Sequence, residues 1–142
     1  MIIATLDTDI QYTKKLGSAL KSLLPDVEYK AFTSPSDCVN YASDHEVSLI
    51  FINQNIGMHF AALQTLHYKL RRIRPHVDII IVYDENESNT NVALWSIQSR
   101  CSDYICKSDT KERLRDALRN IWFHPILNSN EPLQSTLLSS AV

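Results

Sequence analysis

Apolar positions along the chain fall into two rhythms. Short runs with almost no polar interruption occur at Ile2 to Leu6, Val47 to Ile52 and Val77 to Val82. Such runs suit strands covered on both faces. Between them, apolar residues return every three or four positions, the stripe of a helix with one face on a core. Tyr12, Leu16, Ala19, Leu20 and Leu23 mark a first helix, and Cys38, Val39 and Ala42 a second. Leu63, Leu66, Leu70 and Ile73 mark a third, from about His59 to Ile73. Val92, Trp95 and Ile97 mark a fourth, and Leu114, Leu118, Ile121 and Trp122 the last. Val27 to Phe32 alternates as a second, more exposed strand, and Asp103 to Cys106 reads as a short fifth one.

Polar punctuation agrees with these bounds. Asp7-Thr8-Asp9 offers N-cap chemistry before the first helix, and Pro25 helps stop it. Ser34-Pro35 opens the second helix, with Pro near its first turn, and Asp109 or Thr110 caps the last. Five apolar strands alternating with five amphipathic helices demand a parallel sheet covered on both sides. Right-handed crossovers then leave few topologies. The expected fold is α/β, a flavodoxin-like (βα)5 three-layer sandwich with strand order 2-1-3-4-5. Residues 1–123 are expected to form this one domain. From His124 the periodicity fades, so residues 124–142 read as a linker or docking tail that leads toward an output domain.

Composition changes this picture little. At 142 residues, with 44% hydrophobic and 21% charged residues, the chain suits one ordinary globular domain. A formal net charge of −2 gives no general pull toward nucleic acid or anionic membrane. The basic cluster Lys69, Arg71, Arg72 and Arg74 reads as a solvated helix end whose cations face the negative end of the helix dipole. Cys38, Cys101 and Cys106 lack metal-type spacing and read as free thiols. No apolar run approaches the roughly 20 residues that span a bilayer, and a reducing cytoplasm is the expected compartment. The five histidines also lack ligand spacing and are expected at the surface. With two glycines in the whole chain there is no phosphate-cradling loop, no nucleophile elbow and no reason to expect an enzyme or a bound cofactor.

Open parallel sheets bind ligands beyond the carboxyl ends of their strands. Those ends present Asp7, Thr8 and Asp9 after the first strand, and Asn53 with Asn55 after the third. The fourth offers Tyr83 and Asp84, and the fifth Lys107. Acids, an amide and a lysine converging at one rim outline a phosphoryl and Mg²⁺ site. Lys107 also has a plainer reading, an ion pair with Asp7 that pins the first strand to the fifth. Asn53 and Asn55 likewise suit a loop capped by side-chain hydrogen bonds to backbone.

Ala93-Leu94-Trp95-Ser96-Ile97-Gln98-Ser99-Arg100-Cys101-Ser102-Asp103-Tyr104-Ile105-Cys106-Lys107 resembles the helix, turn and Asp-Tyr-x-x-Lys strand of the response-regulator receiver (CheY-like) family. Leu49 to Gly57 resembles the family's strand and loop that deliver the phosphoacceptor. The resemblance implies that residue 53 is the phosphorylated position, yet it is Asn, which offers an amide nitrogen in place of a carboxylate oxygen. It implies an acidic pair after the first strand, and here Asp7 is followed by Thr8, with Asp9 one place late. It implies a short switch hydroxyl where Tyr83 stands, and a Pro after the lysine where Ser108 stands. Tyr104 matches the aromatic switch position.

The resemblance therefore implies a pseudo-receiver, a phosphorylation-independent interaction module of signal transduction without a metal site. Alternatives are a degenerate but still Mg²⁺-dependent switch and a flavodoxin-like small-ligand binder. A protein partner or attached output domain is expected on the fourth helix, fifth strand and fifth helix, where homodimers of the family form. Trp95, Arg100, Tyr104, Arg113, Arg119 and Trp122 are the candidate contact residues there.

Overall fold

The computed structural model describes residues 1–85 and 100–123. Within them lie strands β1 (Ile2–Leu6), β2 (Glu28–Phe32), β3 (Val47–Asn53), β4 (Asp78–Tyr83) and β5 (Asp103–Cys106). They form one parallel sheet in the order β2-β1-β3-β4-β5, the order read from the sequence. The helices are α1 (Ile10–Leu23), α2 (Pro35–Asp44), α3 (Phe60–Ile73) and α4 (Lys111–Leu118), the last running on through a π turn at Arg119–Phe123. The helix expected around Val92, Trp95 and Ile97 and the tail at residues 124–142 lie outside the described residues.

Alternation along each strand builds two cores from one sheet. Ile3, Leu49, Phe51, Ile80, Val82 and Ile105 point to one face, where α1 and α4 cover them with Leu16, Leu20, Leu114 and Leu118. Ala4, Leu6, Ile50, Ile52, Ile79 and Ile81 point to the other, under Cys38 and Ala42 of α2 and Leu63, Leu66 and Leu70 of α3. Successive residues of β3 and β4 are thus buried in turn on opposite faces, which is why those strands are uninterrupted apolar runs. β2 is an edge strand and keeps Glu28, Lys30 and Ala31 exposed.

The helix starts follow local chemistry. The side chains of Asp9, Ser34 and Thr110 accept N–H bonds from Tyr12, Asp37 and Arg113, each satisfying an orphan donor of the first turn. Gly17 lets α1 approach β2 closely. A Cβ there would stand 2.7 Å from the Tyr29 ring, whose hydroxyl donates to the Thr13 carbonyl at 2.7 Å.

Two expectations need correction. His67 is 1% exposed rather than on the surface. It stands four residues after Leu63 and three before Leu70, so it falls on the buried stripe of α3. The basic cluster is also not simply solvated. Arg74 Nε donates to the carbonyls of Ala42 at 2.8 Å and His45 at 2.9 Å, and Nη2 to Ser43 at 3.3 Å. It thereby serves the end of α2, a helix with no basic residue in its own last turn. Arg71 Nη2 donates to the Arg100 carbonyl at 2.6 Å, tying α3 to the turn before β5. Lys69 and Arg72 do remain exposed.

Arg100 adopts φ +56°, the left-handed region, where its Cβ crowds the backbone. Arg100→Gly should remove that strain and keep the carbonyl that Arg71 binds. Stability should rise by about 1 kcal/mol after the entropic cost of glycine, read as a higher urea midpoint; a lower midpoint would contradict the assigned backbone.

Burial, with the charge of Arg71 beside it, pushes the His67 imidazole down to about 4. The folded protein therefore holds His67 neutral where the unfolded chain binds a proton. Its stabilising effect is complete above the unfolded value near 6.5 and is lost as pH falls toward 4. Between pH 7.5 and 5, stability should drop by about 2 kcal/mol. His67→Leu should flatten that slope, and an unchanged slope in this variant would show that another group sets it.

Candidate functional site

All five strands end at one rim, and their ends bring distant residues together. Asp7 follows β1, Asp9 caps α1, Asn53 closes β3, Asp84 follows β4 and Lys107 follows β5. Asp7 is 1% exposed and lies under this rim, its backbone N–H donating to the Phe32 carbonyl at 3.0 Å. A carboxylate so placed needs partners for both oxygens. Its Oδ1 accepts the Asp9 N–H at 2.9 Å and the Asn53 side-chain amide at 3.0 Å. Its Oδ2 stands 3.3 Å from Lys107 Nζ, an ionic contact rather than a well-directed hydrogen bond.

The Lys107 ammonium is shared. It donates to Asp9 Oδ2 at 3.2 Å, lies 3.8 Å from Asp84 Oδ1 and stands 5.2 Å from the centre of the Tyr12 ring. Burial works against the charge of Lys107, yet the carboxylates of Asp7 and Asp9 outweigh it and raise its pKa above the ordinary lysine value. The Tyr12 backbone N–H, helped by Lys107, holds the Asp9 carboxyl below the usual range.

Asn53 is oriented by its neighbours. Its Oδ1 accepts the Asn55 N–H at 2.9 Å, which assigns Nδ2 to Asp7. The loop capping read from the sequence is thus present at Asn53, while the Asn55 side chain donates to Asp84 Oδ2 at 3.3 Å. Thr8 is exposed and stands outside this network. Tyr83 is buried, its ring centre 6.1 Å from that of Tyr104. Asp84 and Tyr12 complete the cluster. Asp84 was legible as a strand-end acid; Tyr12 carried only its helix-stripe signal.

The Mg²⁺ implied by the family resemblance does not suit this donor set. Residue 53 turns N–H donors toward Asp7 where an ion needs oxygen, and an ammonium already lies between the Asp7 and Asp9 carboxylates. An acid at position 53 would add a fourth negative charge to Asp7, Asp9 and Asp84, with Lys107 as the one cation among them. An amide there removes that repulsion and supplies a donor instead.

The candidate contact residues have different fates. Arg113 forks onto Asp103 at 3.2 and 3.0 Å and onto the Tyr104 carbonyl at 2.9 Å, so it fastens α4 to β5. Tyr104 and Arg119 are half-buried, and Trp122 is half-buried against the α1–α4 core. Arg100 is exposed, and Trp95 lies outside the described residues.

Elsewhere, Cys101 Sγ lies 3.5 Å from His67 Nδ1. Burial pushes the Cys101 thiol up to about 11 despite Arg71 nearby, and His67 down to about 4, so neither is ionised at neutral pH. Arg71 Nη2 lies 3.9 Å from the sulfur, but burial outweighs it, so the pair lacks the thiolate that a reactive cysteine needs. Cys38, Cys101 and Cys106 are free, as expected.

No family model and no curated protein matches the chain. Solved structures do. NtrX from Brucella abortus, in complex with ADP, superposes with a TM-score of 0.69 at 14% identity, over 90% of this chain and 28% of that one. This chain thus spans under a third of the NtrX length. A CheY-like protein, TadZ, from Pseudomonas aeruginosa gives a TM-score of 0.67 at 14% identity over 85% of this chain and 92% of that one. The co-crystal structure of the Saccharomyces cerevisiae phosphotransfer protein Ypd1 with the receiver domain of Ssk1 gives 0.66 at 17% identity over 84% and 86%. At such identities the likeness speaks for architecture, and the architecture is that of the CheY-like response-regulator receiver domain.

Proposed function

We propose that this chain is a pseudo-receiver: a regulatory interaction module that passes a signal to a protein partner or attached output domain without phosphoryl transfer at residue 53. The observation that carries the reading is the Asn53 amide donating to the Asp7 carboxylate at 3.0 Å. A phosphoacceptor must present a carboxylate oxygen to phosphorus, and residue 53 presents an oriented N–H. Lys107, which the receiver resemblance would aim at a phosphoryl group, is engaged by Asp7, Asp9 and Asp84. Tyr83 in place of a short switch hydroxyl adds bulk against Tyr104. The module's role is regulatory rather than catalytic, and the site holds no metal in its working state.

The partner surface in this reading is β5 with α4, presented by Tyr104 and Arg119 and stiffened by the Arg113–Asp103 fork. Trp122 instead packs on the core of the opposite face of the sheet from Tyr104. Half-buried aromatic and arginine side chains suit an interface centre. A second copy of the chain is one partner this surface suits. The Ypd1–Ssk1 co-crystal is a precedent for a protein complex involving a receiver domain.

Intact-mass measurement after incubation with acetyl phosphate and Mg²⁺ tests the reading. The mass should stay unchanged, and beryllofluoride should leave the amide NMR spectrum as it was. A hydroxylamine-sensitive gain of one phosphoryl group would sink it.

A further inference from the structure

On the face of the sheet away from α1 and α4, α2 and α3 diverge enough to leave a cleft of about 500 Å³. That volume lies within the range of small-molecule sites. Val39, Met58, Ala62 and Leu66 form its apolar floor, and Val39 and Met58 rest on the buried core behind them. The rim is polar, and Lys69 is the one charged residue among its lining. Ala62 and Lys69 lie seven residues apart on α3, so the cleft is about 10 Å long at the helical rise.

Each part of this lining bears on what would fill it. Bulky apolar side chains were not used to close the gap: the facing positions are Ala62, Thr65 and Asn40, all short. Lys69 forms no ion pair among the described residues, in contrast to Arg74, Arg113 and Lys107, which are all engaged within the chain. Its flexible stem leans back over the preceding turn of α3, toward the cleft. Asn40 adds an amide on the opposite wall. An apolar floor with one unpaired cation at its edge complements a small molecule that has an apolar body and one anionic group. A neutral hydrocarbon would leave Lys69 unused, and a highly charged metabolite would meet an apolar floor.

We infer that the cleft between α2 and α3 binds a small amphipathic carboxylate, whose apolar body lies on Val39, Met58 and Leu66 and whose anionic end meets Lys69. The site is separate from the charged rim at Lys107, so it supplies an input to the fold that does not depend on residue 53.

NMR titration of the full chain with octanoate, 1-naphthoate and the neutral analogue octanamide tests this. At least one carboxylate should give saturable shifts confined to residues 35–40 and 58–69, with octanamide binding at least tenfold more weakly than octanoate. Lys69→Ala should remove that preference while the fold persists. Asn40→Trp, which fills the cleft from its exposed wall, should abolish the shifts without unfolding the protein. Absence of saturable shifts at millimolar carboxylate would overturn the proposal. So would binding indifferent to both variants, or shifts of the same residues with protein concentration alone, which would mean that a second copy covers the cleft.

Discussion

The Asp7 carboxylate lies under the rim of the sheet, and the ends of three other elements are arranged to satisfy it. Burying an ion is expensive unless opposite charge and directed hydrogen bonds accompany it. The accompaniment comes from Asn53 at the end of β3, the Asp9 N–H at the start of α1 and Lys107 after β5. Lys107 reaches on to Asp9 and Asp84, so one ammonium joins the ends of β1, β4 and β5 and the start of α1. Its side chain is 17% exposed, which keeps solvent screening weak enough for these contacts to matter. Cut either partner from the Asp7–Lys107 pair and a charge remains in a place built for two.

The same arrangement bears on function. A switch needs two states that a signal can bias. In this rim Asp7, Asp9, Asp84 and Lys107 engage one another, and the amide at 53 donates to Asp7 without adding a fourth negative charge. A module of this kind would act through surfaces presented in one conformation, β5 and α4 on one side, or through an input elsewhere, such as the α2–α3 cleft. Both ideas place the working parts on the helical layers and leave the rim a structural role.

Much of the architecture was legible because it rests on periodicity. The apolar runs at Ile2 to Leu6 and Val47 to Ile52 identify strands with two buried faces, and Asp9, Ser34 and Thr110 mark helix starts. The rim residues were legible too, since strand ends follow from strand order, and Lys107 with Asp7 pairs as its plainer reading required. Features set by tertiary neighbours were less accessible. His67 reads as a polar surface residue until the phase of α3 is taken from Leu63 and Leu70. Arg74 reads as a helix-end cation, while its partners are the carbonyls of another helix about thirty residues earlier. The positive φ of Arg100 has no local signature, because that conformation ordinarily recruits glycine. Arg113 reads as an interface arginine, and only the closeness of α4 to β5 reveals its fork on Asp103.

A double-mutant cycle on Asp7 and Lys107 tests the central claim, that their charge pair organises the rim, most directly. Urea unfolding at pH 7 gives the stability of the parent, Asp7→Asn, Lys107→Met and the double variant. Lys107→Met alone should cost about 3 kcal/mol, because it leaves the Asp7 carboxylate buried without its cation. In the Asp7→Asn background the same change should cost less by about 2 kcal/mol. If the two costs simply add, Asp7 and Lys107 act independently and the charge pair does not organise the rim.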